Sequence, residues 1–376
     1  MKLTNRFDQV LQQLVAKRGV RHAVMAVESG DGSFRWSGAV GEATPDGSPM
    51  REETPFFIAS ITKLHIATIV MQLVEQRRIT LDQPLDACLP GSLIAGIHRI
   101  GNVDSTSAIT VRHLLSHTSG LPDWLEDRPK NGSSVLEELF RSGDRAFTLD
   151  DVIATARDLT AHFLPRPIDG VRVKARYSDT NFQLLIAIVE TVMGTPLHRV
   201  FAERLYAPLS LRQTFHPGQL PLEAATPPAM IWIDGAPLAR PLALQSLGDV
   251  YSTTGDLLTF MRALVRGEVF DDARTLDLMQ EHWLPFGFPL DRAAFRSPGW
   301  PIAYGLGIMR FRLPRPLTPF WSMPPILGHT GSTGSWLFYA PAIDLFFCGT
   351  VDEASSGAVP YRVVPQLLRI MDEYNR

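Results

Sequence analysis

Residues 55–77 read PFFIASITKLHIATIVMQLVEQR, and this stretch decides both the fold and the chemistry. From Ile58 to Val74 the chain is mostly apolar, and shorter than the roughly 18 to 20 residues of a membrane span. The pattern predicts a core helix starting near Ser60. Its first half also carries Ser60, Lys63 and His65. A lysine is costly to bury unless something pairs with it. On a helix, Ser60 and Lys63 lie one turn apart on one face. His65 points away from Ser60 and reads as a packed side chain. The Ser60 amide sits at the positive end of such a helix, a good place for a nucleophilic hydroxyl beside a developing oxyanion. A desolvated lysine either loses its proton near neutral pH and acts as base, or stands as a fixed positive charge.

The rest of the composition is ordinary. The chain has 376 residues, 45% hydrophobic and 20% charged, enough for one large or two moderate domains around a substantial core. The net charge is −3, and 31 of the 36 basic residues are scattered arginines, so no nucleic-acid partner is expected. Lys63 is one of five lysines. Cys88 and Cys348 cannot build a disulfide framework and read as two free thiols. Near the N-terminus, Phe7, Val10, Leu11, Leu14 and Val15 recur at helical spacing, with charges interrupting any signal-peptide core. The expectation is a soluble, cytoplasmic protein with no membrane partner. The sequence carries no signal for oligomeric state.

Two strand-like runs, 23–28 and 34–39, flank the turn SGDGS. The middle of the chain reads as helical: VRHLLSH, LDDVIATARDL, NFQLLIAIVETVMG and LHRVFAERLYAPL all carry helical apolar spacing. A proline-rich stretch, 217–241, reads as a surface excursion beside a cleft. TTGDLLTFMRALVRG predicts a helix capped by Thr254. AYGLGIMRFRL, GSWLFYAP and IDLFFCGTV then read as strands, and VPYRVVPQLLRIMDEYN as a closing helix. The expected fold is α+β. One mostly antiparallel five-stranded sheet flanked by helices is built from residues 1–85 and 246–376, and residues 86–245 form a mostly helical insertion.

Two further stretches complement Ser60 and Lys63. YSDTNF (177–182) stands at the entry of an apolar helix, where a tyrosine can project into a cleft. Beside a lysine ammonium the Tyr177 phenol is expected to have a lowered pKa. GHTGSTGS (328–335) precedes a strand, and its small residues allow a backbone to approach a ligand and donate to an oxyanion. His113 and His117 lack the glutamate of a zinc-protease helix and read as structural.

Together Ser60-Ile61-Thr62-Lys63, Tyr177-Ser178-Asp179 and His329-Thr330-Gly331 resemble the three ordered motifs of the serine β-lactamase and penicillin-binding protein superfamily, in its class C β-lactamase-like branch. ITVRHLLSHTSGLPDW, YAPLSLRQT, GDVYSTTGDLLTFMRALV and YGLGI also look like that branch, so the resemblance spans roughly residues 20–370. It implies a sheet domain and a helical domain with the site between them. It implies that Ser60 accepts the acyl group and that Lys63 and Tyr177 share the base work. The amides of Ser60 and Ser332 would form the oxyanion hole beside Gly331, Asp179 and His329, and no metal or other cofactor would be required.

Two residues depart from the pattern. Asp179 stands where the family has asparagine, and an ionised carboxylate cannot donate to an acyl-amide carbonyl. It can instead pair with Lys63. His329 stands where many members have lysine, and a neutral histidine offers no fixed charge for a substrate carboxylate, though it can bond Tyr177 or the substrate. Among Trp124, Trp232, Trp300, Trp321 and Trp336, two or three are expected to line an apolar cleft. The expected function is hydrolysis of small ester or amide substrates through acyl-Ser60. Acyl transfer to an alcohol or amine, β-lactamase or DD-peptidase activity, and a non-turnover binding or sensor role are the alternatives.

Overall fold

The computed structural model describes residues 3–168, 173, 175–222, 226–287, 298–319 and 321–374. Its strands alternate side chains between two buried faces, which is why they read as nearly continuous apolar runs. In β1 (His22–Ser29), Ala23, Met25 and Val27 join one core, whereas Val24 and Ala26 join the other. The first core is closed by α1 (Leu3–Val15), through Phe7, Leu11 and Leu14, and by the C-terminal helix Pro360–Tyr374. The second core is closed by α2 (Thr62–Glu75) and the helix Thr254–Val265. Thr253 caps the latter, accepting from Asp256 N at 3.2 Å, so the cap lies one residue before the expected Thr254.

The sheet has eight strands where the sequence suggested five. They are β1, β2 (Arg35–Gly41), β3 (Leu284–Pro285), β4 (Ile302–Tyr304), β5 (Met309–Phe311), β6 (Ile326–Gly331), β7 (Ser335–Ala340) and β8 (Leu345–Thr350). Their order is β2-β1-β8-β7-β6-β5-β4-β3, and every pair is antiparallel. The three extra strands have three sources. AYGLGIMRFRL folds back on itself as β4 and β5, ILGHTG is a fully buried strand, and the short β3 pairs with β4 at the sheet edge.

Helix α2 is buried on all sides from Thr62 to Leu73, as an apolar-all-round helix should be. A 3₁₀ turn over Ala59–Ile61 leads into it and carries Ser60. Opposite stand α3 (Val111–Leu115), α4 (Leu149–Asp158) and α5 (Asp179–Met193), all packed into the same core as α2 or at its margin. Among the described residues no single helix is long and apolar enough to cross a membrane. Cys88 and Cys348 are free and buried. The 217–241 stretch docks its later part, with Ala229 N bonded to Pro55 O and Trp232 N to Asp352 O, and ends in a short hairpin. Residues 223–225 of that stretch, and residues 288–297, lie outside the described residues.

Candidate active site

The site forms where the turn before α2 meets the end of β6. Ala59 has φ +47°, a left-handed conformation that costs a non-glycine residue about 1 kcal/mol or more. It is held by its neighbours: Ile58 N bonds Val250 O at 3.0 Å, and Ser335 Oγ and Thr333 Oγ1 bond the carbonyls of Ile58 and Phe57. Gly331 is required by this packing. A β-carbon there would lie 2.1 Å from Ser335 Oγ and 2.5 Å from Ile58 O. The bare backbone therefore brings β6 against the Ser60 turn. Ser332 follows immediately and is exposed.

Ser60 Oγ accepts two hydrogen bonds, from Lys63 Nζ at 2.9 Å and from the Tyr177 phenol at 2.8 Å. The three residues singled out from the sequence thus share one oxygen. Lys63 also pairs with Asp179, Nζ to Oδ1 2.5 Å, and its ammonium lies 5.2 Å and 5.4 Å from the ring centres of Tyr177 and Phe182. Tyr177 ends an irregular segment just before α5, and Asp179 is the first residue of that helix. Burial alone would lower the Lys63 pKa. The carboxylates of Asp179 and Asp249 outweigh it and hold the pKa above the ordinary lysine value, so Lys63 is an ammonium, not the free amine that desolvation alone would give. The lowered Tyr177 pKa is likewise not found. Burial, with the Asp179 charge adding to it, pushes the phenol well above its usual range.

Acidic groups surround the lysine. Asp123 is buried, accepts from Asp179 N at 3.1 Å, and has its carboxyl pushed well up by burial and by Asp179 and Asp127. Asp249 is raised to about 6, chiefly by burial. Neither was picked out from the sequence, although Asp249 lies in the family-like stretch GDVYSTTGDLL.

His329 is fully buried on β6 and bonds Tyr304, not Tyr177. Its Nδ1 lies 2.7 Å from the Thr330 carbonyl, which can only accept, so Nδ1 carries the proton. Nε2 then accepts from the Tyr304 phenol at 2.9 Å. Burial and the Lys63 charge lower its pKa to about 3, so it is neutral. Tyr304, a residue not singled out in advance, belongs to the YGLGI stretch. Gly307 in that stretch has φ +76°, and a β-carbon there would lie 2.1 Å from Ala67 Cβ on α2.

His117 also matters more than a merely structural reading suggests. Its ring lies 4.4 Å from that of Tyr177 and 4.7 Å from that of Tyr304. Its Nδ1 is held by Ser178 N at 3.2 Å and Asn181 Nδ2 at 2.9 Å. It is the shelf that orients the phenol. His113 completes a capping box with Thr110, and His65 stacks on Phe260 at 4.0 Å. Four of the five tryptophans do not supply the expected lining. Trp124 and Trp336 are core residues, Trp232 is buried under Arg21, and Trp321 packs on the α1 side of the sheet. The aromatic neighbours of the site are Phe182, Phe286 and Tyr304. Among the described residues no group of three or more His, Cys, Asp or Glu is arranged to hold a metal ion.

A mixed sheet-and-helix fold with a serine, a lysine and a tyrosine joined at one oxygen defines a class, and residues 7–356 match the family described as Beta-lactamase. The chain belongs to that family. It is similar to esterase EstB of Burkholderia gladioli, 32% identical over 56% of this chain, and it spans half of that protein's length. The D-alanyl-D-alanine-carboxypeptidase/endopeptidase AmpH of Escherichia coli is 26% identical over 85% of this chain and 76% of its own. Among solved structures, a D-stereospecific amidohydrolase from Streptomyces sp. superposes with a TM-score of 0.70 at 26% identity over 97% of each chain. The D-amino acid amidase of Ochrobactrum anthropi SV3 shares the fold, with a TM-score of 0.78 at 21% identity over the whole of both chains.

Proposed function

We propose that this protein is a serine hydrolase that cleaves carboxylic esters and small amides through an acyl-Ser60 intermediate. The observation that carries the reading is the position of Ser60 Oγ between Lys63 Nζ and the Tyr177 phenol, at 2.9 Å and 2.8 Å. A serine hydroxyl is a weak nucleophile until a neighbour removes its proton, and nucleophile and proton carrier within hydrogen-bond reach are the geometric signature of that chemistry. The names esterase, carboxypeptidase and amidohydrolase among its relatives support the class.

In this reading Ser60 attacks the substrate carbonyl as its proton leaves through Lys63, which as an ammonium gives up one proton as it takes this one. The Tyr177 phenol, already aimed at Oγ, stabilises the forming alkoxide bond and later hands a proton to the leaving group. Backbone amides at Ser60 and Ser332, drawn together by the bare Gly331, receive the oxyanion. Water then releases the acyl group. Ester and amide substrates without a carboxylate suit the pocket better than β-lactams, because Asp179 replaces an amide donor and His329 is uncharged.

The test is steady-state release of p-nitrophenol from p-nitrophenyl butyrate by wild type and Ser60→Ala. Turnover by wild type alone is expected. Equal rates in both proteins would remove Ser60 from the reaction.

A further inference from the structure

Ser60 Oγ has one proton and two lone pairs. Lys63 and Tyr177 both donate to it, so both lone pairs are taken. In that arrangement neither neighbour is a base, and one of them must shed a proton before it can receive the one on Ser60. Among the described residues, the one acceptor bonded to a side chain of this trio is Asp179, whose Oδ1 lies 2.5 Å from Lys63 Nζ. Its side chain is 20% exposed, so it borders the cleft. Position 179 is where the family pattern has asparagine, which takes no proton at neutral pH.

We propose that Asp179 is the terminal proton acceptor of acylation, receiving through Lys63 the proton that leaves Ser60. The proposal rests on the acyl-Ser60 reading and extends it. As Oγ bonds the carbonyl carbon, its proton passes to Nζ and a proton already on Nζ passes to Oδ1. The carbonyl π pair moves onto the substrate oxygen. When that pair returns, the bond from carbon to the leaving oxygen or nitrogen breaks. The proton on Asp179 goes back through Nζ to the leaving atom, or replaces one that Tyr177 has given it. Lys63 stays an ammonium throughout, and no net proton is gained or lost.

The titratable groups that face Asp179 are Lys63 from α2, Tyr177 from its own segment, Asp123 from the loop after α3, Asp249 before the helix Thr254–Val265, and Tyr304 at the end of β4. Both phenols are held neutral by burial. The charge that answers Asp179 is therefore Lys63.

A simpler role competes, in which the carboxylate does no more than keep Lys63 charged. The two roles predict opposite results for Asp179→Asn. Removing a mere clamp frees Lys63 to lose its proton, so acylation speeds up at neutral pH. Removing the acceptor slows acylation by about 10²-fold or more, in kcat more than in KM, and displaces the acid limb of the pH profile. The experiment follows the pre-steady-state burst of p-nitrophenol across the acid-to-neutral range for wild type, Asp179→Asn, Asp179→Glu and Ser60→Ala. A slowed burst with a displaced limb, partly rescued by glutamate, is expected. An unchanged or faster burst in Asp179→Asn overturns the proposal. Ser60→Ala keeping the burst would overturn the underlying reading instead. If Asp179→Asn fails to fold, a proton inventory on the wild-type burst decides: a curved, two-proton dependence on solvent deuterium supports the relay, and a linear one overturns it.

Discussion

Tyr304 donates its phenol to Nε2 of His329 at 2.9 Å, and the Thr330 carbonyl fixes the proton on the other ring nitrogen. The histidine that replaces the family's lysine is thereby consumed inside the protein and left uncharged. A substrate carboxylate would meet a neutral ring and an acidic neighbourhood of Asp179, Asp249 and Asp123. Turnover of a chromogenic cephalosporin should be slower than that of p-nitrophenyl butyrate by about 10²-fold or more in kcat/KM, since leaving a buried charge unpaired is heavily penalised. Comparable rates for the two substrates would contradict this account of the pocket.

Lys63→Met removes the one ammonium that answers the surrounding carboxylates. Hydrolysis should be abolished, and stability at neutral pH should fall by about 3–5 kcal/mol, the usual result of leaving one partner of a buried ion pair alone. The pH dependence has a definite sign. The Lys63 charge now holds the Asp249 pKa down, so without Lys63 that pKa, already above its unfolded value, rises further. Its protonated form then favours the folded state more strongly, so the variant should regain stability on acidification and lose it as pH rises. Urea unfolding at several pH values measures this, and a loss independent of pH would point to packing alone.

Asp249 makes the complementary case. Its carboxyl is raised from 3.8 in the unfolded chain to about 6 in the fold. The folded protein binds that proton more tightly, so the ionised group costs stability as pH rises through about 6 and costs nothing below about 4. Asp249→Asn should raise Tm at neutral pH, with a gain on the order of 2 kcal/mol, and leave it unchanged in acid. A gain at all pH values would have another origin.

Gly331→Ala probes the contact between β6 and the Ser60 turn. Its methyl would meet Ser335 Oγ and the Ile58 carbonyl well inside van der Waals distance. One of the two segments must move, at a cost of about 1–3 kcal/mol. Because the displaced backbone carries Ser60 on one side and Ser332 on the other, kcat should fall by about 10²–10³-fold, the usual consequence of losing an oxyanion donor. Near-normal kcat in a folded variant would mean that the oxyanion is held elsewhere.

How much of this was legible in the chain depends on range. The buried helix and the Ser60–Lys63 pairing follow from local spacing, since one helical turn sets both. The α+β class follows from the strand and helix spacings, whereas Tyr177 and His329 were reached through motifs, because nothing local ties residue 177 to residue 60. The Tyr304–His329 bond, the Asp249 neighbour and the His117 shelf were missed, because each depends on strands and loops that meet only in three dimensions. ILGHTG is absent from the expected strands for a physical reason: glycines weaken a strand pattern, yet here they admit close neighbours on a buried strand. Of the two states the local argument left open for Lys63, the structure takes the charged one, whereas the Tyr177 phenol is raised where that argument expected it lowered. The argument weighed the lysine charge on the phenol, but not burial or the carboxylates facing both.

In the sheet, Val24 pairs with Thr350, so the first long strand is completed by nearly the last. A chain emerging from the ribosome cannot close this sheet until Thr350 has been made, and the entropy of that closure falls on a late step. The reacting oxygen and its partners come from widely separated segments that the same closure brings together. Burst amplitude during refolding is therefore a direct count of molecules that have completed the whole topology, and a chain ending before β8 should show helix content without any burst.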